Sequence, residues 1–366
     1  EMYVGVFSDY VGLRIGNQRI AWGKGDVISP NDVLNPRDLR DPLLTDTELR
    51  HIPTFAVRAD IQGGSNALQL VFQPFFVPDR YDVYGSNWAA IQPDSPLAYR
   101  GFFHLIDQLF DSTLHDQVQR VFAQTSLPTK PSAGARYTVT GHNVDASLYY
   151  HYGYDASPKV TLDPMFAGAI GSVDWTMATP TTLAPVLGLL DMGVAPYSVE
   201  FQRRHHIGVD GVTTIGSFAL KIDAAYDTKH VYYQPDLVSF VSPAAQAVVS
   251  LEYQTGEIGK LLLLEGVYNR IMDTPPMIGL LGYNKDTEGV ALLARWTFFD
   301  VIETEVRAVY EDSPHTTVFQ PQLAYRARSG GLSIGAGALF IKGEGSSLGA
   351  YYGRNDSVYG LVKYAF

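Results

Sequence analysis

Residues Val144 to Tyr154 read V-D-A-S-L-Y-Y-H-Y-G-Y, and this period of two, repeated through most of the chain, restricts the fold more than anything else in it. Val144, Ala146, Leu148, Tyr150 and Tyr152 share one face of an extended strand, against Asp145, Ser147, Tyr149 and His151 on the other. The same split separates Phe218, Leu220, Ile222, Ala224 and Tyr226 from Ala219, Lys221, Asp223 and Ala225. It also separates Val290, Leu292, Ala294, Trp296 and Phe298 from Arg295 and Thr297, and Ile302, Thr304, Val306, Ala308 and Tyr310 from Glu303, Glu305 and Arg307.

A soluble sandwich alternates too, so the connections have to separate the two architectures. Short turns are expected near Gly63–Asn66, His142–Asn143, Asp210–Thr213, Gly256–Gly259, Asp300–Val301 and Arg328–Gly330. Between them lie long segments at roughly 23–51, 77–133, 155–197, 227–243, 269–288 and 343–356, with one brief link at 311–316. Short and long connections in turn are the habit of transmembrane antiparallel β-barrels, tight on the periplasmic side and long outside. The expected fold is therefore all-β: a single barrel domain over residues 1–366.

Composition agrees. Aromatics are abundant, with 23 Tyr and 18 Phe, charged residues make up only 18%, and mean hydropathy is −0.02. A helical membrane protein needs about 20 apolar residues in a row, and Leu183 to Leu190 is among the longest such runs. The chain has no cysteine, which excludes disulfides and thiolate metal sites, and its net charge of −11 argues against a nucleic-acid partner. The run V-Y-G-L-V-K-Y-A-F from Val358 to Phe366 ends on an aromatic and resembles the terminal signature that the barrel-assembly machinery reads. Outer-membrane lipid and lipopolysaccharide are the surroundings such a wall expects.

About 15 strands can be counted, the last descending to the periplasm. Even strand numbers are the habit of such barrels, so a further strand before Glu1 is expected, making about 16. No signal peptide is visible, in keeping with a mature or truncated form.

If the apolar face meets lipid, the polar alternates face the interior. They are Arg14, Arg58, Asp60, Gln69, Gln73, Arg136, Asp145, His151, Glu200, Arg204, His206, Lys221, Asp223, Glu252, Arg295, Glu303, Glu305, Arg307, Arg326 and Lys363. Cross-strand ion pairing accounts for most of them; a few are candidates for a selectivity lining. Within the 77–133 insertion, residues 99–124 space Phe102, Phe103, Ile106, Leu109, Phe110, Val118, Val121 and Phe122 helically, as a cap on the mouth or a plug in the lumen. Thr181 to Met192 reads as a second, weaker helix.

The stretch R-I-G-N-Q-R-I-A-W-G-K-G-D from Arg14, followed by I-S-P-N-D-V-L-N-P-R-D, resembles an element of alginate-export-type and related porin-like barrels. The likeness rests on Arg14, Gly16, Gln18, Trp22, Gly23, Asp26, Pro30, Asn35 and Pro36, with a weaker echo at Pro131 to Tyr154. It implies a passive outer-membrane conduit, for polar solutes or for a secreted polysaccharide delivered by a periplasmic export partner. A receptor or adhesin with a plugged barrel is the alternative. The acidic chain does not suit the anionic alginate itself.

The same loop reads as an ion-paired segment stiffened by Pro30, Pro36 and Pro42; its carboxylates, Asp26, Asp32, Asp38, Asp41, Asp46 and Glu48, are also the hard oxygen donors calcium takes. No other cofactor is expected. His205 and His206 are adjacent in a strand and face opposite ways, so they do not chelate one ion. The G-E-G-S-S-L-G run from Gly343 is expected in an outer loop with no helix after it, and no G-x-S-x-G, H-E-x-x-H or Walker element is present, so no enzyme is expected.

Overall fold

The computed structural model describes residues 1–41, 43, 50–82, 86–89, 127–173, 179, 181–194, 197–234, 239–254, 260–273, 280–327 and 331–364. The 99–124 segment lies outside them, as do the expected turns at Gly256–Gly259 and Arg328–Gly330 and the final aromatic.

The alternating segments form one antiparallel sheet of 15 strands in chain order: β1 (Met2–Phe7), β2 (Val11–Gln18), β3 (Thr54–Gly63), β4 (Asn66–Gln73), β5 (Ser132–Thr140), β6 (Val144–Leu162), β7 (Tyr197–Ile215), β8 (Phe218–Tyr233), β9 (Ser239–Gln254), β10 (Leu261–Ile271), β11 (Asp286–Phe298), β12 (Ile302–Glu311), β13 (Thr316–Arg326), β14 (Leu332–Gly343) and β15 (Ser357–Tyr364). Tight turns join strands at one end of the sheet, where Phe299 and Asp300 adopt positive φ between β11 and β12. The longer connections gather at the other.

Three strands exceed expectation. The β7–β8 turn sits at Gly216–Ser217 rather than Asp210–Thr213, because β7 stays paired with β8 through Ile215↔Phe218. Residues 155–162 and 227–233 are strand rather than loop: β6 and β8 continue past irregularities at Tyr154/Pro158 and Asp227/His230, which break the alternation read from sequence without ending the pairing. Two helices, α1 (Pro164–Gly171) and α2 (Ala184–Asp191), occupy the β6–β7 connection and pack Phe166, Leu183 and Val186 together. A third, α3 (Leu348–Tyr352), follows the Gly343 run, where no helix was expected; Ser347 caps it by accepting from Ala350 N.

The outward face is a belt. Leu220, Leu251, Leu264, Leu292, Ala308, Phe319 and Phe340 are direct register partners across β8 to β14. Leu220, Leu251, Leu264, Phe319 and Phe340 are all exposed. An apolar row of this extent is a cost in water and a fit in lipid. The row beside it faces inward as Lys221, Ser250, Glu265, Ala291 and Val309.

The β2–β3 connection shows that the sheet is curled. Asp26 N donates to Glu265 Oε1 at 2.8 Å, although Glu265 lies on β10, eight places along the sheet from β2. On a flat sheet eight strand spacings cover roughly 38 Å. The eight residues from Gln18 to Asp26 reach roughly 29 Å at full extension. Only a wall bent round on itself brings the two together, with the loop inside it.

Candidate functional site: a loop across the lumen

The site is built by that loop. Ile20, Trp22 and Leu34 are buried against Ala56 of β3, Val71 of β4 and Tyr149 of β6, so apolar contact seats the first part of the loop on the near wall. Trp22 Nε1 donates to Gln69 Oε1 at 2.7 Å, and its ring lies 5.2 Å from that of Tyr149. A Cβ on Gly134 would stand 2.7 Å from the indole, so β5 makes room with a glycine. Asn35 ties the other limb back, donating to Gln18 O and Ile52 O while its Oδ1 accepts from Ile20 N.

Past Trp22 the chain crosses to the far wall, where two carboxylates receive it. Asp223 of β8 accepts from Lys24 N, Gly25 N, Ser29 Oγ and the Asn31 side-chain amide. Glu265 of β10 accepts from Asp26 N, Val27 N, Ile28 N and Ser250 Oγ. Both acids are buried, Asp223 1% and Glu265 0% exposed. Without four donors each, such charges would be too costly to bury. The tight path needs glycine: Gly23 has φ +88°, and a Cβ there would meet Ser29 Oγ at 1.9 Å.

Asn31, 0% exposed, is the hub on β7 and β8. Its amide donates to Val209 O at 3.1 Å, and its Oδ1 lies 3.0 Å from His206 Nε2. His206 Nδ1 is in turn 3.0 Å from Asp227, which pairs with Arg204 at 3.0 Å. Arg204 also reaches Asp155 and His230. Lys221, on the same wall as Asp223, stands 2.6 Å from Asp26 of the loop and 2.5 Å from Glu252 of β9.

The structure thus gathers some of the expected interior residues and leaves others apart. Arg14 and Arg58 share Asp60 on β2 and β3. Glu305 takes both Arg295 and Arg307, and Arg326 pairs with Glu303. His151 is buried beside Trp22 with neither ring nitrogen hydrogen-bonded. Arg136 and Asp145 lie on the same wall face without an ion pair to a described residue. Glu200 sits beside Lys159, beyond the β6 irregularity. His206 is buried while His205 stacks outside on Tyr152, as adjacency in a strand requires.

Sequence reasoning missed Glu265, Asn31, Ser29, Asp155, Asp210 and Asp227. Glu265 was legible as one acid in L-L-L-L-E-G-V-Y; Asn31 and Ser29 carry no local sign of their partners on β7 and β8. Among the described residues no cluster of three or more His or acidic side chains could hold a metal. Of the acids read as calcium donors, Asp26 pairs with Lys221, Asp32 with His51, and Asp38 with Arg40, which holds the Asp38 carboxyl below its usual range, while Asp46 and Glu48 lie outside the described residues.

The sequence matches no protein-family model and no curated protein. Among solved structures, OccAB1 of Acinetobacter baumannii aligns with a TM-score of 0.49 at 9% identity, over 99% of this chain and 75% of that one. A mutant Rh. blastica porin aligns at 0.40 and 14%, over 100% and 88%. The FrpB iron transporter of Neisseria meningitidis aligns at 0.34 and 10%, over 93% and 59%. Likenesses this loose carry no residue role or solute across; the fold stands on the strand pairing described above.

Proposed function

We propose that this protein is an outer-membrane channel for the passive passage of small polar solutes, in which residues 20–35 form the internal constriction. The observation that carries this reading is the Asp26–Glu265 contact, which places a chain segment across the interior of a curled wall whose outer face is apolar. A closed wall satisfies its backbone polar groups within itself and meets lipid with alternate side chains. Inside, paired charges of both signs line a wet passage without a strong ion preference.

Export of a secreted polysaccharide is the less favoured form of the same reading, since a polymer needs a clear way and the loop crosses it. A plugged barrel serving as a receptor is favoured over export by the same crossing. Single-channel recording of the purified protein in planar bilayers separates them. Steady conductance in potassium chloride supports the channel. Silence that turns to conductance on Glu265→Ala identifies a plug, and silence in both removes the channel reading.

A further inference from the structure

Between the loop tip and the inner wall of β9 to β12 lies a cavity of about 100 Å³. Ile28 and Pro30 of the loop form one side, and Gln246, Asn269 and Glu311 stand on the wall. Two of these groups are unspent. Asn269 is 6% exposed; its Oδ1 accepts from Tyr232 OH, but its Nδ2 has no hydrogen-bond partner. Glu311 forms no ion pair with any described residue, and its nearest help is a hydroxyl, that of Thr316. Gly289, its register partner on β11, leaves the carboxylate room: a Cβ there would stand 3.3 Å from Glu311 Cγ. Buried donors and carboxylates are ordinarily matched, and both of these residues line the same small space.

We propose that this cavity is a binding site for small organic ammonium cations that also carry a neutral oxygen acceptor. The ammonium answers Glu311, and the oxygen accepts from Asn269 Nδ2. Apolar lining from Ile28, Pro30 and Val309 suits a short carbon link between the two groups. A zwitterion fits less well, because its carboxylate would share about 100 Å³ with that of Glu311. The inference deepens the channel reading and rests on it for its use: the site would hold such a solute briefly beside the constriction.

The test is calorimetric titration of the detergent-solubilised full chain with ethanolamine hydrochloride, with glycine and sodium chloride as controls. Ethanolammonium is expected to bind, glycine at least tenfold more weakly, and sodium without saturation. Glu311→Gln should weaken ethanolammonium by roughly tenfold or more, the range for losing a charge-assisted hydrogen bond. Asn269→Leu, which removes the Nδ2 donor at similar size, should also weaken it. Heat-dependent electrophoretic mobility checks that each variant is folded. Absence of binding in the wild type, equal binding in Glu311→Gln, or glycine matching ethanolammonium overturns the proposal. A conducting pore that ignores ethanolammonium defeats this site alone, whereas binding to a non-conducting protein defeats the channel reading alone.

Discussion

The backbone N–H of Asp26 donates to the Glu265 carboxylate at 2.8 Å, joining residues separated by 239 positions and by half the wall. That single contact turns an outward connection into an internal one, because β2 and β10 face each other only when the sheet is curled. Glu265 and Asp223 together hold seven of the loop's donors. The tip of the loop is therefore held by two acids on the far wall, while Trp22 and Asn35 hold its base on the near one.

Glu265→Ala should free the loop tip. It strands the N–H groups of Asp26, Val27 and Ile28, and each unmade buried bond costs about 1–3 kcal/mol. Faster proteolytic cleavage within residues 24–34 and a larger, noisier single-channel current are expected. Cleavage unchanged from the wild type would show that Asp223 holds the loop without help.

Gly208→Ala and Gly266→Ala form a matched pair. A Cβ on Gly208 would stand 1.5 Å from Asn31 Oδ1, whereas one on Gly266 meets nothing within 4 Å. The first should displace Asn31 and alter conductance, and the second should leave it as it was. Equal effects would mean that Asn31 does not sit between β7 and the lumen.

Leu220 and Lys221 test the two faces. Leu220→Arg places a cation in the apolar belt and should cost roughly 2–4 kcal/mol of folding stability in lipid. From sequence alone, Lys221→Ala looks inexpensive; the structure revises that, since the amine pairs with Asp26 and Glu252, and its loss leaves the mostly buried Glu252 without that partner. Both variants should destabilise in denaturant titrations, and only Lys221→Ala should be relieved by adding Glu252→Gln.

Asp79 supplies a pH dependence outside the wall. Burial raises its carboxyl above the usual range, a shift opposed by the Arg37 N–H that it accepts at 2.7 Å. The folded state therefore holds a proton that the unfolded state releases first, so the stability of the 74–82 connection falls as pH rises from about 4 through the folded value and stays lower above it. Asp79→Asn, which keeps an acceptor for Arg37, should resist proteolysis better than the wild type at neutral pH, with the advantage shrinking toward pH 4. An advantage that does not change with pH would exclude the linkage.

What could be read in the chain was whatever repeats locally. Period two separated the lipid face of β6, β8, β11 and β12 from the inner one, and the run of short and long connections gave the antiparallel order of 15 strands. Where the period slips, at Tyr154/Pro158 and Asp227/His230, the reading stopped early, because alternation records side chains while pairing follows the backbone.

The same chemistry explains why Arg14 through Asp26 stood out without disclosing its place. Trp22, Gly23 and Gly25 are unusual because they must fit a lumen, yet the carboxylates that call for them lie about 200 residues later. Local sequence determined which residues face lipid, since every strand must solve that problem by itself. Tertiary structure alone decided that residues 20–35 turn inward, because that depends on the curvature of the whole sheet bringing Asp223 and Glu265 opposite β2.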